Sequence, residues 1–341
     1  MVKNPSVPTL EDVAREANVS TATVSRCLNS PEKVVEKTRE RVLASVSRLG
    51  YSPNFGARAL AAKRTDTIGA IIPTMENAIF ARGLQAFQEV VSENGATLLV
   101  ASSAYRQDLE ETQIRNLVAR GADALLLIGD DRDDKIYEFL SNRGIPYVVA
   151  WSYRDDDNHC FVGFDNRSAA KEMAAKIIEL GHTRIGMIAG LTRNNDRARD
   201  RVLGVKDAIT EHGLNVDDLH VIEAEYSFAE GGNAVEHLLS LAPRPTAIVC
   251  GNDILAVGAM KRARSLGIQI PDQLSITGFD DIEVCSVVEP SLTTIHVPHR
   301  NMGKTAAKSL FAMMESEAIC ASSHLETYVV ERQSLAAPPK S

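Results

Sequence analysis

The sequence predicts a short all-α head followed by an α/β body of two doubly wound, Rossmann-like lobes. Three observations carry this prediction. Residues 1–65 hold brief amphipathic helical patterns and an excess of positive charge; from Thr67 onward short β-branched runs alternate with helical stretches; and many of those stretches close on a glycine just ahead of the next strand.

The head reads as a helix-turn-helix. Thr9 caps a first helix, with Asp12 three positions on as a variant of the capping box, and Leu10, Val13, Ala14 and Ala17 share one face. Asn18 tolerates a left-handed backbone and ends that helix. Ser20 caps a second, whose Val24 and Leu28 turn inward while Thr21, Ala22, Ser25 and Arg26 face out. Small side chains at this helix start permit close approach to bases and phosphates, and an arginine there can bond bidentately to guanine. A third helix from about Glu36 to Leu49 buries Val42, Val46 and Leu49 and stops at Gly50. Any two short amphipathic helices share this spacing, so charge must decide. Residues 1–65 carry 11 Lys+Arg against 6 Asp+Glu, leaving 26 against 39 for the rest and giving the overall −8. A basic head on an acidic body concentrates phosphate attraction at one end.

Tyr51-Ser52-Pro53-Asn54 breaks the third helix, and Ala57 to Arg64 is helix-prone but only two turns long. A helix that short is unstable alone in water, so it reads either as a linker or as a hinge that orders on DNA, with Leu60 as an apolar wedge for the minor groove. Composition is otherwise ordinary: 44% hydrophobic, 24% charged, 341 residues, enough for more than one domain. Glu11 and Asp12 stand where a signal peptide would be apolar, and no stretch is apolar enough to span a membrane. Cys27, Cys160, Cys250, Cys285 and Cys320 are scattered without a C-x-x-C pair, which suggests neither a disulfide framework nor a zinc site and suits a reducing cytoplasm.

In the body the predicted strands are Ile68 to Ile72, Thr97 to Ala101, Ala124 to Ile128, Tyr147 to Trp151, Cys160 to Phe164, Arg184 to Ala189, His220 to Ala224, Ala247 to Cys250 and Leu274 to Gly278. Gly95, Gly121, Gly144, Gly181, Gly213 and Gly267 punctuate the helices between them, as expected of helix C-caps feeding parallel strands. So many strands exceed one comfortable sheet and favour two lobes, with the cleft between them as the default ligand site.

Enzyme motifs are poorly supported. No G-x-G-x-x-G follows a strand and G-x-S-x-G is absent; Gly303-Lys304-Thr305 matches the tail of a phosphate-binding loop, but Pro298 stands where its first glycine belongs. His296 and His299 form an H-x-x-H pair read as an incidental surface pair in a loop, not as metal ligands. No catalytic constellation, metal site or cofactor is predicted. Arg193, Arg197, Arg199 and Arg201, with Arg154 on another loop, read either as an anion site or as a solvated basic face.

The runs Thr9-Leu10-x-Asp12-Val13-Ala14, Val19-Ser20-x-x-Thr23-Val24-Ser25-Arg26-x-Leu28-Asn29, Leu49-Gly50-Tyr51-x-Pro53-Asn54 and Ala57-Arg58-x-Leu60 resemble the lac repressor-type (LacI/GalR) transcriptional regulators. Gly181-His182, Pro245-Thr246-Ala247, Asn252-Asp253, Gly278-Phe279-Asp280-Asp281 and Pro290-x-Leu292-Thr293-Thr294-Ile295 extend the likeness through the body. The resemblance implies a ligand-responsive regulator, most readily a repressor, binding a near-palindromic double-stranded DNA operator as a homodimer, cytoplasmic and without a cofactor. It implies that Thr21, Ala22 and Arg26 read the major groove, that Ser20, Ser25, Asn29, Tyr51 and Asn54 position the backbone, and that Ala57 and Leu60 serve the hinge. It implies a body of periplasmic-binding-protein type, with the effector held by Arg201, Asn252 and Asp280, walled by Tyr226, and met by Asn77 and Phe80 after the first strand. Trp151 stands where many sugar-responsive relatives carry an aspartate, which weakens a neutral sugar and leaves a sugar acid or sugar phosphate as the alternative.

The expected domains are a DNA-binding head over 1–53, a hinge over 54–65, and an effector-binding and dimerisation core over 66–341. Its first lobe spans about 66–165 and 297–325, its second about 166–296 and 326–337. The competing reading is a solute-binding protein or α/β enzyme whose N-terminal helices are decoration.

Overall fold

The computed structural model describes residues 7–52, 64–76, 78–155, 158–315 and 321–339. The chain divides into two units, Met1–Thr65 and Asp66–Ser341.

Among its described residues the first unit has three helices, α1 (Leu10–Glu16), α2 (Thr21–Asn29) and α3 (Glu36–Leu49). The capping box is complete: the Asp12 N–H donates to Thr9 Oγ1 at 3.3 Å and the Thr9 N–H to Asp12 Oδ2 at 2.9 Å. Asn18 turns the chain at φ 50° and Gly50 closes α3 at φ 63°. Val13, Ala14, Ala17, Val24, Cys27 and Val42 form the core, with Leu10, Leu28, Val46, Leu49 and Tyr51 packed around it. Cys27 belongs to that core as a small apolar side chain.

Among its described residues the second unit has three sheets. The first comprises β1 (Thr67–Ile72), β2 (Thr97–Ser102), β3 (Ala124–Ile128), β4 (Tyr147–Ala150), β5 (Phe161–Gly163) and β11 (Ser323–His324), all parallel, in the order β11-β5-β4-β3-β1-β2. The second comprises β6 (Ile185–Gly190), β7 (His220–Ala224), β8 (Ala247–Cys250) and β9 (Ser275–Thr277), also parallel, in the order β7-β6-β8-β9. An antiparallel pair, β10 (Thr294–His296) and β12 (Tyr328–Val330), lies beside β9 through the bridges Thr277 to Thr293 and Asp280 to His296. The helices are α4 (Ala78–Glu93), α5 (Gln107–Ala119), α6 (Asp134–Asn142), α7 (Asn166–Glu179), α8 (Asp196–Glu211), α9 (Phe228–Ser240), α10 (Asp253–Ser265), α11 (Val284–Val287) and α12 (His299–Glu315). All six predicted C-cap glycines have positive φ.

Strands β10, β11 and β12 were not legible in the sequence; each is only two or three residues long, too short to show a period. Gly303 lies inside α12, where a Cβ would stand 2.0 Å from the Gly83 carbonyl oxygen, so this glycine sets the contact between α12 and α4 rather than ending a phosphate loop. The cysteine expectation needs one correction: Cys27, Cys250 and Cys285 are free, but Cys160 is disulfide-bonded. Pairing follows spatial neighbourhood, to which linear spacing is blind. No helix among the described residues is long and apolar enough to cross a membrane, and no group of His, Cys, Asp and Glu among them could hold a metal ion.

Candidate DNA-reading head and interlobe ligand site

In the head, α2 presents its start to solvent because its apolar positions face α1 and α3. Thr21, Ala22 and Arg26 are exposed and Ser25 half-exposed. Ser20 is committed to capping: its Oγ accepts the Thr23 N–H at 3.2 Å and lies 2.9 Å from Thr23 Oγ1. Asn29 donates to Ser25 Oγ at 3.2 Å. Tyr51 packs against the helical core. Arg48 ties α3 to α1 through Glu16 at 2.9 Å. Asn54, Ala57 and Leu60 lie outside the described residues, as does Asn77 of the body.

The candidate ligand site of the body lies where strand C-termini of both sheets converge, the usual place for ligands in parallel α/β folds. Phe80, Trp151, Arg201, Tyr226, Asn252 and Asp280 all stand here. Arg201, on α8, is 4% exposed; its Nε donates to Asn166 Oδ1 at 2.9 Å, its Nη1 to the Gly251 carbonyl at 2.6 Å, and its guanidinium lies 3.7 Å from the Phe279 ring centre. Nη2 is 3.9 Å from Asp280 Oδ1. Asp280 is fully buried, with the backbone at φ 112°, and neither of its carboxyl oxygens has a hydrogen-bond partner. Burial pushes its carboxyl well above the ordinary range; Arg201 opposes the rise and Asp253 adds to it. A buried acceptor without a donor is a costly arrangement that an incoming ligand can relieve.

Asn252 has a structural duty, since its Oδ1 accepts the Leu255 N–H at 2.9 Å and caps α10, but its Nδ2 is buried and unpartnered. Asp253 beside it is a structural acid, accepting from Thr294 Oγ1 at 2.6 Å and from the Ile282 N–H at 2.9 Å. Tyr226 enters the cleft over Gly190, where a Cβ would meet its hydroxyl at 2.1 Å, and faces Tyr105 of the other lobe with ring centres 6.1 Å apart. They line a cavity of about 330 Å³ with Thr74, Leu191, Asn195 and Ser227. Trp151, at φ 62° and 1% exposed, packs edge-on against Phe80 at 5.6 Å. Its carbonyl accepts from Asn166 Nδ2 at 3.0 Å, so Asn166 joins the end of β4 to Arg201.

Tyr105, Asn166, Phe279 and His299 were missed by sequence reasoning. Phe279 carried a signal through its place in the Gly278-Phe279-Asp280-Asp281 run, and His299 one through the H-x-x-H spacing. The H-x-x-H reading is corrected: His299 is 4% exposed at the start of α12, and His296, on β10, is paired with Asp281 at 2.8 Å. Three arginines of the cluster are already engaged by acids. Arg197 pairs with Asp196 at 2.8 Å, Arg154 with Asp130 at 2.9 Å and Asp200 at 2.8 Å, and Arg199 with Asp131. The Arg154–Asp200 and Arg199–Asp131 pairs tie one lobe to the other, aided by the Asp130 N–H donating to Asp196 Oδ2 at 3.1 Å.

A helix-turn-helix head on a two-lobed, periplasmic-binding-protein-like body is the architecture of a ligand-responsive DNA-binding regulator. The comparisons give the family. Residues 9–54 match "Bacterial regulatory proteins, lacI family" and residues 174–335 a "Periplasmic binding protein-like domain". The chain is 33% identical to catabolite control protein A of Priestia megaterium, over 91% of this chain and 94% of that one. It is 33% identical to the HTH-type transcriptional repressor PurR of Salmonella paratyphi B, over 97% and 98%. The structure of the lac repressor dimer bound to operator and the anti-inducer ONPF superposes with a TM-score of 0.85 at 27% identity, covering 97% of this chain and 100% of that one. The chain belongs to the lacI family of bacterial regulatory proteins; it is a DNA-binding repressor of that family, not an enzyme.

Proposed function

We propose that the chain represses transcription as a homodimer on a near-palindromic operator, and that an effector in the interlobe cleft sets its operator affinity. Residues 1–53 read DNA through Thr21, Ala22 and Arg26, with Ser25 and Asn29 against the backbone; residues 54–65 form the hinge, with Leu60 as its wedge; residues 66–341 hold the effector and the dimer contacts. Arg201, Asp280 and Asn252 bind the effector, Tyr226 and Phe80 wall it, and closure of the lobes transmits its presence to the hinges. Such coupling is reciprocal and typically worth about 1 to 3 kcal/mol.

The observation that carries the cleft assignment is Asp280: a fully buried carboxyl with both oxygens unpartnered, 3.9 Å from a buried arginine, at the ends of strands from both sheets. The same geometry argues for an uncharged effector over a sugar acid or phosphate, because Arg154, Arg197 and Arg199 are already matched by acids and Arg201 is held by Asn166 and a backbone carbonyl. The test couples two assays on the full chain. Operator fragments selected from a random DNA pool are first bound in gel shifts; a thermal-shift screen then ranks neutral sugars, sugar acids and sugar phosphates, and each hit is returned to the gel shift. Ligands that shift melting in the wild type but not in Arg201→Ala, and that change operator affinity, support the proposal; a ligand that binds equally well to Arg201→Ala overturns the cleft assignment. Arg26→Ala should lower operator affinity by about 1 to 3 kcal/mol and relax the base preference at one position.

A further inference from the structure

The cleft holds a contact between two residues that the family assignment leaves without a role. Trp151 Nε1 lies 3.2 Å from His299 Nδ1, both side chains buried and 148 positions apart in sequence. An indole nitrogen is only a donor, so Nδ1 must accept, and the ring's proton is forced onto Nε2. Burial keeps the ring from charging, partly offset by the Asp280 backbone carbonyl, and pulls the imidazole down to about 3. Nε2–H is buried, has no hydrogen-bond partner, and stands 3.8 Å from Asp280 Oδ1, too far for a hydrogen bond. Close packing fixes the arrangement: a Cβ at Gly83 would meet the Trp151 ring at 2.5 Å, and the Trp151 and His299 rings lie roughly parallel, with centres 6.3 Å apart.

Here, then, a buried donor and a buried carboxyl stand 3.8 Å apart without a hydrogen bond between them, the donor having only the electrostatic pull of the Asp280 backbone carbonyl beside it, and Asn252 Nδ2 is a second buried donor without a hydrogen bond. Interleaved donors and acceptors of this kind suit groups that can do both, and hydroxyls are the simplest of these. A phosphate or carboxylate would bring a full charge into a site where burial already opposes ionisation of both the Asp280 carboxyl and the His299 ring.

We propose that His299 is a ligand-binding residue of the interlobe site, that Trp151 positions it by fixing the Nε2–H tautomer, and that His299 and Asp280 together take an uncharged polyol, one hydroxyl accepting from Nε2–H and a neighbouring one donating to the carboxyl. This rests on the cleft reading proposed above. Trp151 is therefore a positioning residue that turns a histidine into a directed donor, and the site recognises the ligand with a neutral pair where an aspartate in its place would supply an acceptor.

The test uses the full chain labelled with ¹⁵N at histidine, in which long-range ¹H–¹⁵N correlations report the tautomer of each ring. The wild type should show His299 protonated at Nε2 and bare at Nδ1, and Trp151→Phe should scramble that pattern. A ring protonated at Nδ1, or one unchanged by Trp151→Phe, overturns the relay. Binding is then read by calorimetry with D-ribose, D-glucose and cellobiose, set against ribose 5-phosphate, glucose 6-phosphate and adenine. A neutral sugar should bind, with affinity falling about tenfold in Trp151→Phe and His299→Leu but recovering to within about threefold in His299→Gln, whose amide restores a donor. Binding only by the phosphates or the base, or unaltered sugar binding in His299→Leu, overturns this inference and spares the cleft reading. Sugar binding that survives Arg201→Ala unchanged overturns the cleft reading and this inference with it.

Discussion

Replacing Asp130 with asparagine should change how the body's stability depends on pH, and the direction can be worked from the structure. Asp130 follows β3 in one lobe and meets Asp196, at the start of α8 in the other. Burial, then Asp196 itself, pushes the Asp130 carboxyl up to about 6; Asp196 is held low, against its own burial, by Arg197 and by hydrogen bonds from Asp130. A carboxyl raised in the folded state makes stability fall as pH rises. Below about 4 the folded and unfolded chains both keep the proton; between about 4 and about 6 only the folded chain does; above that the folded body carries the full penalty of ionising beside Asp196. From an ordinary 3.8 to about 6, complete linkage would amount to about 3 kcal/mol. The side chain is 21% exposed and shares Arg154, so solvent screening leaves about 1 kcal/mol. The amide introduced by Asp130→Asn would offer Asp196 an N–H at every pH, and Arg154 would keep Asp200 at 2.8 Å. The stability of Asp130→Asn relative to wild type should therefore rise by about 1 kcal/mol between pH 4.5 and pH 8, or about 2 to 4 °C in melting temperature. Differential scanning calorimetry of both full chains across that range measures it. A difference that stays flat with pH, or falls, refutes the shared-proton reading of the lobe contact.

Two further outcomes follow from local packing. Gly303→Ala adds a Cβ against the Gly83 backbone carbonyl, which cannot swing aside, and overpacking should outweigh the better helix propensity of alanine; a net loss of about 2 kcal/mol, read as a drop of about 4 to 8 °C in melting temperature, is expected. Ser20→Ala removes the cap of α2 and should cost the head about 1 kcal/mol, seen as faster hydrogen exchange at the Thr23 amide and the turn after it, with melting of the body unchanged.

Much of this fold was legible because its signals are local. Thr9 with Asp12, Asn18 and Ser20 each solve a backbone problem within four residues of themselves, and the structure shows all of them doing so. The C-cap glycines of the body are local in the same way. Strand pairing is not: β11 joins the far edge of the first sheet beside β5, and no feature of its two residues announces it. The binding side chains divide along the same line. Asn252 and Asp280 stand in runs that carry the family resemblance and Arg201 stands in an arginine-rich stretch, whereas Tyr105 and Asn166 sit in unremarkable stretches and, like His299 of the H-x-x-H pair, matter through what the fold sets beside them.

Trp151 shows why a single position can mislead. Taken alone, tryptophan in place of an aspartate removes an acceptor from the cleft and argues against a neutral sugar. Its indole N–H, however, ends on His299, and what the cleft loses as an acceptor returns as an imidazole donor facing Asp280. The arginines that seemed to compensate for the lost acid with an anion are occupied instead: Arg154, Arg197 and Arg199 each hold an aspartate, and Arg201 holds Asn166 and a backbone carbonyl. Charge density along the chain left an anion site and a solvated basic face both open, because it counted the arginines before their partners were known. Charge balance in the folded cleft favours a ligand that carries none.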